Sequence, residues 1–351
     1  MSNLVEIEGL CTHYPIGRRL FHKSELVRAV EDVSLTIPVG QNLGLVGESG
    51  CGKSTLGRTV LRLTEPTSGL VRIDGIEVTS LKRRELLAFR RRAQMIFQDP
   101  YGSLNPRMTV GQTLTEPLRI HGLCSDSAAE RRRVVELVNQ VGLPESSLDR
   151  YPHEFSGGQR QRIVIARALA VDPKLIVADE PVSALDVSIQ AQIVNLLRDV
   201  QEKKGLTYLF ISHDLKVVQH LCDQVAVMYL GRVVERASTE ALFARPLHPY
   251  TQALIAAIPR PPDAPSLPDA HEGAVPLGYR PRALLLGGDP PSLLSPPTGC
   301  AFHPRCRRYE EAGRPAICQK ERPPLLTISV GKVGTPTSQV ACHLQNHRQP
   351  G

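Results

Sequence analysis

Gly47–Thr55 combine small, cationic and hydroxyl-bearing side chains at a spacing suited to phosphate chemistry. The stretch reads GESGCGKST and satisfies the pattern G-x-x-x-x-G-K-S/T, between an apolar run and a segment with helical apolar spacing. Glycine lets the backbone turn its N–H groups toward a phosphate; without a ligand the stretch would be an ordinary glycine-rich turn. We expect Lys53 to reach the β- and γ-phosphates of a nucleoside triphosphate and Ser54 to bind Mg²⁺. The predicted nucleotide-binding residues here are Gly47, Glu48, Ser49, Gly50, Cys51, Gly52, Lys53, Ser54 and Thr55.

Two adjacent carboxylates, Asp179 and Glu180, end the apolar run that begins at Lys174. A strand that is apolar on both faces is typical of a buried parallel sheet, and α/β folds place ligands at the carboxyl ends of such strands. We expect Asp179 to hold Mg²⁺ and Glu180 to act as the general base that activates an attacking water. A solvated strand end is the alternative.

Three further side chains are candidates for the same site. Gln98 follows the apolar residues 94–97, and its amide oxygen can reach Mg²⁺ or the attacking water. His213 follows the buried run 207–211 and is predicted to sense the γ-phosphate, although a lone histidine is usually structural. Tyr14 is the candidate to stack on an adenine base, with an ordinary edge-strand tyrosine as the alternative. The predicted Mg²⁺ ligands are therefore Ser54, Gln98 and Asp179.

A second candidate anion site precedes the helical segment 160–170. Ser156 can cap that helix, and Gly157 and Gly158 leave backbone N–H groups exposed at its positive end. One bound triphosphate does not need two cradles, so we expect this site to serve a nucleotide held by another subunit. Its residues are Ser156, Gly157, Gly158 and Gln159.

Apolar periodicity predicts the elements that position these side chains. Strands are predicted at residues 4–10, 33–37, 43–46, 69–75, 94–97, 174–179, 207–211, 225–229 and 232–235. The last two are expected to form a hairpin that turns at Leu230 and Gly231. Residues 15–28 are basic and irregular and predict a loop, whereas residues 101–170 are predicted to be largely helical.

Composition narrows the class of protein. The chain has 351 residues, an ordinary hydrophobic fraction of 41%, and no apolar run long enough to cross a membrane. Its N-terminus lacks the features of a secretory signal, so a cytosolic location with reduced cysteines is expected. A net charge of +7 is compatible with nucleic acid or an anionic membrane, but the arginine clusters favour solvated helix faces. No nucleic-acid partner is expected.

Taken in this order, the motifs resemble those of the nucleotide-binding subunit of an ABC transporter. That resemblance implies a P-loop ABC ATPase core of the α/β class, with an antiparallel β subdomain near the N-terminus and a helical subdomain inserted at about 99–170. It also implies that two subunits sandwich two ATP molecules head to tail, each signature facing the phosphate loop of the other. The family roles fall on Gln98 (Q-loop), Ser156–Gln159 (signature), Glu180 (catalytic base), Asp186 (D-loop, contacting the partner's ATP) and His213 (switch).

Two further stretches sharpen the resemblance. Residues 183–197 and the tripeptide His248-Pro249-Tyr250 look like those of oligopeptide and dipeptide importer ATPases, nearer the F-type partner. This implies ATP-driven peptide uptake with a second, non-identical ATPase, two membrane permeases and a peptide-binding protein, and a peripheral location at the cytoplasmic face of the inner membrane. Some relatives carry nickel or glutathione. A soluble ABC-type ATPase acting on ribosomes or DNA is a competing class, but its long coiled coil or second cassette is absent from this sequence.

The C-terminal part of the sequence differs in composition. Residues 259–297 hold 11 of the 29 prolines, which predicts an extended connector at 259–299 between a nucleotide-binding domain at 1–258 and a Cys-rich extension at 300–351. Four cysteines, Cys300, Cys306, Cys318 and Cys342, have a spacing unlike that of zinc fingers. In a reducing cytosol such thiols bind metal more often than they form disulfides. The resemblance implies a 4Fe–4S cluster here; zinc, unligated thiols and a redox-sensing function are the alternatives.

Overall fold

The computed structural model describes residues 2–16, 25–258, 288–329 and 337–345. The strands are β1 (Asn3–Ile16), β2 (Glu25–Pro38), β3 (Asn42–Val46), β4 (Ser68–Ile73), β5 (Ile76–Glu77), β6 (Ala93–Ile96), β7 (Leu175–Asp179), β8 (Thr207–Ile211), β9 (Gln224–Tyr229), β10 (Arg232–Ser238), β11 (Leu326–Ser329) and β12 (Thr337–Val340). The helices are α1 (Lys53–Val60), α2 (Arg83–Phe89), α3 (Pro100–Ser103), α4 (Val110–Ile120), α5 (Ser127–Gln140), α6 (Gly157–Leu169), α7 (Val187–Lys204), α8 (Leu215–Leu221), α9 (Thr239–Ala244), α10 (Pro249–Ala256), α11 (Arg307–Glu311) and α12 (Ala316–Lys320).

The central sheet is parallel in its core and antiparallel at one side. Its order is β11-β12-β10-β9-β3-β8-β7-β6, with parallel pairing from β6 through β7, β8 and β3 to β9. All five residues of β3, β7 and β8 are buried, as expected for parallel strands covered on both faces. The carboxyl ends of these strands therefore meet at one edge, and the loops that follow them can form a common site.

Alternate side chains of the parallel strands enter two different apolar cores. In β8, Tyr208 and Phe210 pack with the helices α4–α7, whereas Leu209 and Ile211 pack with α1 and the N-terminal strands. This alternation follows from the period-two geometry of a strand. The central sheet thus joins the two cores: one face packs against α1 and the N-terminal strands, and the other face packs against α4–α7.

A smaller antiparallel sheet, in the order β2-β1-β4-β5, covers the second core. The expectation of an antiparallel N-terminal subdomain is confirmed. The loop predicted at residues 15–28 is wrong at both ends, because β1 continues to Ile16 and β2 begins at Glu25. Of the basic residues in this stretch, Arg28 lies in β2 and is exposed, whereas residues 17–24 are outside the described part of the chain.

The other element predictions largely agree with the structure. Helices α3 to α6 occupy most of residues 100–169, and β9 and β10 form the predicted hairpin, with Leu230 and Gly231 both at positive φ. Gly205 ends α7 in a left-handed conformation at φ 64°, which glycine adopts without strain. Among the described helices, none combines the length and apolar character needed to cross a membrane.

The C-terminal segment completes the central sheet. Strand β12 pairs with β10, opposing Val340 to Glu235, and β11 pairs with β12 on its other side. Most of the predicted proline-rich connector, residues 259–287, lies outside the described residues. The hairpin of β11 and β12 covers the edge of β10, which would otherwise expose unpaired backbone groups.

Candidate active site at the carboxyl edge of the sheet

The phosphate loop, defined as Gly47–Lys53, connects β3 to α1 in a conformation that requires glycine. Gly52 has a φ of 107°, and a Cβ placed there would lie 2.0 Å from the carbonyl oxygen of Ala29. Gly47 has a φ of 152°, and its Cβ would lie 2.1 Å from the carbonyl oxygen of Met228. Neither position has room for a side chain, because rigid backbone is the obstacle in both cases.

Lys53 is buried beneath this loop, with a relative exposure of 4%. Its ammonium group donates hydrogen bonds to the carbonyl oxygens of Gly47 and Glu48, at 2.9 Å each. The ammonium is therefore fixed at the concave side of the loop, where it supplies positive charge for an incoming phosphate.

Ser54 and Asp179 meet at the start of α1 and the end of β7. The Ser54 hydroxyl donates to Oδ1 of Asp179 at 2.8 Å, while Oδ2 of Asp179 is buried without a hydrogen-bond partner. Burial raises the pKa of Asp179, and the Ser54 hydrogen bond opposes that shift. A buried carboxylate oxygen without a partner beside a hydroxyl is a donor set that fits Mg²⁺, an ion that prefers oxygen ligands.

Gln98, Glu180 and His213 converge at the same edge. The amide of Gln98 donates to Oε2 of Glu180 at 3.1 Å, and Nδ1 of His213 lies 3.2 Å from the same oxygen. Glu180 itself has a φ of 47°, a left-handed conformation that is uncommon for a non-glycine residue. Its backbone N–H donates to the carbonyl oxygen of Ile211, which fixes this conformation at the end of β7.

Gln98, Glu180 and His213 line one open cavity of about 580 Å³. Tyr14 lines its wall with 39% of its surface exposed, so its ring is available for stacking. Of the phosphate loop and the start of α1, the lining residues are Ser49, Gly50, Gly52, Lys53, Ser54 and Thr55. Gly47, Glu48 and Cys51 do not line the cavity.

Sequence reasoning missed three lining residues and one contact behind the cavity. Val27 and Ala29 come from β2, part of which was predicted to be a loop, and Leu293 comes from the C-terminal segment. The Glu48 carboxylate points away from the cavity and pairs with Arg305. No local pattern indicates any of them, because residues 25–30 do not alternate between apolar and polar side chains and the others come from a distant part of the chain.

The signature segment lies outside this cavity. Ser156 caps α6 as predicted: its hydroxyl accepts from the N–H of Gln159 at 3.4 Å, and the Gln159 side chain accepts from the N–H of Ser156 at 3.0 Å. Gly158 packs against α7, where a Cβ would lie 2.4 Å from Ile189. Asp186 likewise caps α7, because its carboxylate accepts from the N–H of Ile189 at 3.0 Å. Hydrogen bonds from that N–H and from the Ser188 hydroxyl lower the pKa of Asp186.

The four C-terminal cysteines lie close together. Burial is the main cause that raises the pKa of the Cys300 thiol to about 12, and the nearby sulfur atoms of Cys342, Cys306 and Cys318 raise it further. All eight cysteines fall within the described residues and are free thiols. Thiols that stay protonated at neutral pH and converge in one place would become thiolates on binding a metal, so this donor set fits a thiolate-ligated centre.

The spacing of the sulfur atoms bears on the kind of centre. In the described residues, three potential metal-ligating atoms lie within 4.8 Å of one another at Cys11, His13 and Glu31, not at the four C-terminal cysteines. A single zinc ion with four bonds of about 2.3 Å would hold its sulfurs roughly 3.8 Å apart. Within the part of the chain that the structure describes, the four thiols are therefore not already gathered as tightly as a single zinc ion would hold them.

Comparison with known proteins agrees with this geometry. The ABC transporter family matches residues 30–183, and the C-terminal region of the oligopeptide/dipeptide transporters matches residues 234–312. The oligopeptide transport ATP-binding protein AppF of Bacillus subtilis is 46% identical over 345 residues, covering 98% of each chain. The chain belongs to the ABC transporter ATP-binding proteins of the oligopeptide/dipeptide importer family. Within that family it is an ATPase, the motor subunit of a peptide importer.

Other relatives and solved structures give the same assignment. "Probable peptide ABC transporter ATP-binding protein y4tS" of Sinorhizobium fredii is 50% identical over 346 residues, covering 97% of this chain and 90% of its own. The dimeric ATP-binding cassette MJ0796 bound to ADP and Pi is 30% identical with a TM-score of 0.60, covering 67% of this chain and 98% of its own. The structure of cbiO1 from Clostridium perfringens, part of the ABC transporter complex cbiONQ, has a TM-score of 0.61 at 27% identity, covering 69% and 91%. The predicted α/β ABC ATPase fold is confirmed.

Proposed function

We propose that this ATPase subunit binds ATP in the cavity beside the phosphate loop and hydrolyses it with Glu180 as the general base. The observation that carries the proposal is the convergence of Gln98 and His213 on one oxygen of Glu180, at 3.1 and 3.2 Å. A carboxylate held by two flanking groups at the end of a core strand is positioned to orient a water molecule toward a γ-phosphate.

The remaining residues of the site bind and orient the nucleotide. The loop N–H groups and the Lys53 ammonium hold the phosphates, and the Tyr14 ring stacks on the base. Ser54, Asp179 and Gln98 would hold Mg²⁺, which when bound supplies charge neutralisation at the β- and γ-phosphates. His213 contacts the γ-phosphate and keeps the Glu180 carboxylate facing it.

The site is completed by a second ATPase subunit. Ser156–Gln159 lie outside this chain's own cavity, and Ser156, Gly157 and Gln159 are exposed at the start of α6, which supports a contact with ATP held by the partner. The exposed Asp186, which precedes α7, supports the same contact. By the same symmetry, the partner's signature contacts ATP on this chain. Preorganised donors on both sides of the γ-phosphate then stabilise the charge that develops during hydrolysis.

Substitution of Glu180 by glutamine tests the catalytic assignment. The Glu180→Gln variant retains the shape of the side chain and should bind ATP normally, but hydrolysis should fall roughly 10²–10⁴-fold because the general base is lost. ATP binding and phosphate release are measured on the subunit assembled with its partner ATPase and permeases. Glu202→Gln, on the exposed side of α7, is the matched control. A near-wild-type rate for Glu180→Gln would remove Glu180 from the role of base.

The cargo proposed is a di- or oligopeptide, taken up across the cytoplasmic membrane by two permeases that receive it from a peptide-binding protein. The chain acts peripherally at the cytoplasmic face, with residues 1–258 as the nucleotide-binding domain, 259–299 as connector and 300–351 as the Cys-rich extension. The match of residues 234–312 to the C-terminal region of the oligopeptide/dipeptide transporters supports the peptide cargo. ATPase stimulation of the complex by peptides, compared with nickel and glutathione, tests the cargo; stimulation by either alternative alone would overturn it.

Cys300, Cys306, Cys318 and Cys342 are proposed to hold a 4Fe–4S cluster. The convergence of four thiols, two buried and two partly buried, supports a thiolate-ligated centre, and four cysteine ligands are the usual set for such a cluster. Anaerobic purification followed by iron, sulfide and zinc analysis tests this. One zinc per chain would replace the cluster with zinc, and a metal-free protein would leave four thiols.

A further inference from the structure

Glu48, the second residue of the phosphate loop, is held by three different residues. Its backbone N–H donates to the hydroxyl of Tyr250 at 2.7 Å, and its carbonyl oxygen accepts from the Lys53 ammonium at 2.9 Å. Its two carboxylate oxygens accept from the guanidinium of Arg305 at 2.8 and 3.0 Å. Two of these three partners belong to the C-terminal region, so that region is in direct contact with the loop that surrounds the phosphates.

Arg305 is built into the segment that carries the first two cysteines of the cluster. Its side chain is 7% exposed, and its paired contact with Glu48 is the bidentate geometry that fixes orientation as well as charge. The turn that contains it is closed by hydrogen bonds from the N–H of His303 to the carbonyl oxygen of Cys300 and from the N–H of Cys306 to that of His303. The position of Arg305 therefore depends on the fold of the cysteine segment.

Phe302 anchors the same turn in an aromatic cluster. Its ring lies 5.3 Å from that of Tyr229, 5.4 Å from that of Tyr250 and 5.6 Å from that of His248. It is 2% exposed. The turn thus cannot shift relative to Tyr250 without loss of this packing.

The tripeptide His248-Pro249-Tyr250 has a structural explanation in these contacts. Burial lowers the pKa of His248 to about 3, so the imidazole is neutral and its Nδ1 accepts from the N–H of Tyr250 at 3.0 Å. The Glu235 carboxylate accepts from the N–H groups of Leu247 and His248 at 2.7 and 2.8 Å. Pro249 occupies the first turn of α10, where its missing N–H costs nothing. Together these contacts fix the Tyr250 hydroxyl against Glu48.

We propose that Arg305 and Tyr250 are positioning residues for ATP binding, which act on the phosphate loop through Glu48. Arg305 fixes the Glu48 side chain and Tyr250 fixes its N–H, so the carbonyl oxygen that holds Lys53 stays in place. The C-terminal segment is then a support for the phosphate loop, and ATP affinity depends on whether residues 299–306 are folded. This inference rests on the proposed ATP site, and it adds that the folding of the cysteine segment influences how tightly this site binds ATP.

The alternative is that the ion pair between Arg305 and Glu48 stabilises the fold without affecting the nucleotide. In that case neither single variant should weaken ATP binding. A double-mutant cycle further separates action through Glu48 from independent action of the two side chains. If Arg305 acts through Glu48, removing both side chains should weaken ATP binding no more than removing one. If each side chain acts independently, the two losses in affinity should add.

The experiment measures equilibrium ATP binding to the full-length subunit for Arg305→Ala, Glu48→Gln and the double variant. Each single change should weaken ATP binding by roughly 3- to 30-fold, the usual range for residues coupled to a site without touching its ligand. Arg305→Lys should recover part of the affinity, because it keeps the charge but not the bidentate geometry. Arg307→Ala is the matched control, since Arg307 lies in the same segment, is exposed and pairs with Glu311 instead. Steady-state assays of the assembled transporter should show the loss in KM for ATP rather than in kcat.

Tyr250→Phe guards against a trivial loss of folding. It removes one hydroxyl from a packed ring, so thermal unfolding should change little while ATP affinity falls several-fold. Wild-type affinity in all the Arg305, Glu48 and Tyr250 variants would overturn the inference, and so would additive losses in the cycle. Failure of the wild-type subunit to bind ATP would instead overturn the proposed ATP site, so the two failures are distinguishable.

Discussion

The phosphate loop and the signature segment are both glycine-containing turns that lead into a helix, but their surroundings differ. The phosphate loop is enclosed: Gly47 and Gly52 press against the backbone of β9 and β2, and Glu48 is held by the C-terminal region. The signature is exposed on one side, with Ser156, Gly157 and Gln159 all open to solvent. Its hydrogen bonds are made within the turn itself.

This difference suggests that the phosphate loop can bind phosphate within one chain, whereas the signature segment needs a nucleotide bound to another subunit. A loop fixed from behind by its own chain has its N–H groups oriented before any phosphate arrives, which lowers the cost of binding. A solvent-exposed turn whose hydrogen bonds only cap its own helix can attract an anion through the helix dipole, but it binds that anion weakly. The chain should therefore bind ATP by itself but hydrolyse it well only when the partner's signature is added.

The largest expected effect is that of a methyl group inside the phosphate loop. Gly52→Ala places a Cβ against the Ala29 carbonyl in a left-handed backbone, so ATP binding to the isolated subunit should fall at least about 100-fold, equivalent to about 3 kcal/mol. Gly40→Ala is the matched control, because Gly40 has a similar positive φ of 75° but nothing within 4 Å of its Cβ. It should cost roughly 1 kcal/mol of stability and leave ATP binding unchanged. Normal ATP binding by Gly52→Ala would show that the loop is not preorganised by its surroundings.

The signature should give a smaller effect, visible only in the assembled transporter. Ser156→Ala should leave ATP binding to the isolated subunit unchanged but lower ATP hydrolysis by the complex about 10–100-fold, because a donor to the partner's nucleotide is lost. Ser238→Ala is the control: Ser238 caps α9, accepting from the N–H of Ala241 at 3.2 Å, and both changes should cost about 1 kcal/mol of stability. Equal hydrolysis rates for the two variants would reduce Ser156 to a helix cap.

A third effect concerns the stability of the support behind the phosphate loop and how that stability depends on pH. Burial raises the pKa of Glu235 to about 7 from an ordinary value of 4.5, so the folded chain holds a proton there that the unfolded chain releases. The contribution of Glu235 to stability is therefore fully present below about pH 4.5 and is lost as pH rises toward 7, by at most about 3 kcal/mol. In Glu235→Gln, unfolding measured in denaturant across this range should lose that part of its pH dependence. An unchanged slope would mean that the carboxylate is already ionised within its two N–H contacts.

Local sequence pattern was enough to predict many residues of the site, but not the C-terminal residues that hold the phosphate loop from behind. Lys53, Ser54, Asp179 and Glu180 follow buried strands, and parallel strands bring their carboxyl ends to one edge, so their proximity could be anticipated. The pair of Glu48 and Arg305 spans 257 residues and has no periodicity that links its members. Long-range contacts of this kind depend on how the C-terminal segment packs, which neither propensity nor hydrophobic spacing encodes.

Two other features were beyond sequence reasoning for different physical reasons. The left-handed φ of Glu180 is imposed by its hydrogen bond to Ile211 on the neighbouring strand, against the local preference of glutamate. The strand character of residues 25–28 was hidden because their exposed side chains do not alternate between apolar and polar, and it is the pairing with β1 that extends β2 back to Glu25. Both errors arise where tertiary contacts override the local signal.

The late position of Arg305 in the sequence also sets an order of events during synthesis. A ribosome adds roughly 5–20 residues per second, so the partner of Glu48 emerges roughly 10 to 50 s after Glu48 itself. Until then the phosphate loop has no guanidinium behind it, and the edge of β10 has no strand β12 to cover it. A nascent chain would consequently acquire its full affinity for nucleotide only after the segment that carries Arg305 has emerged and folded.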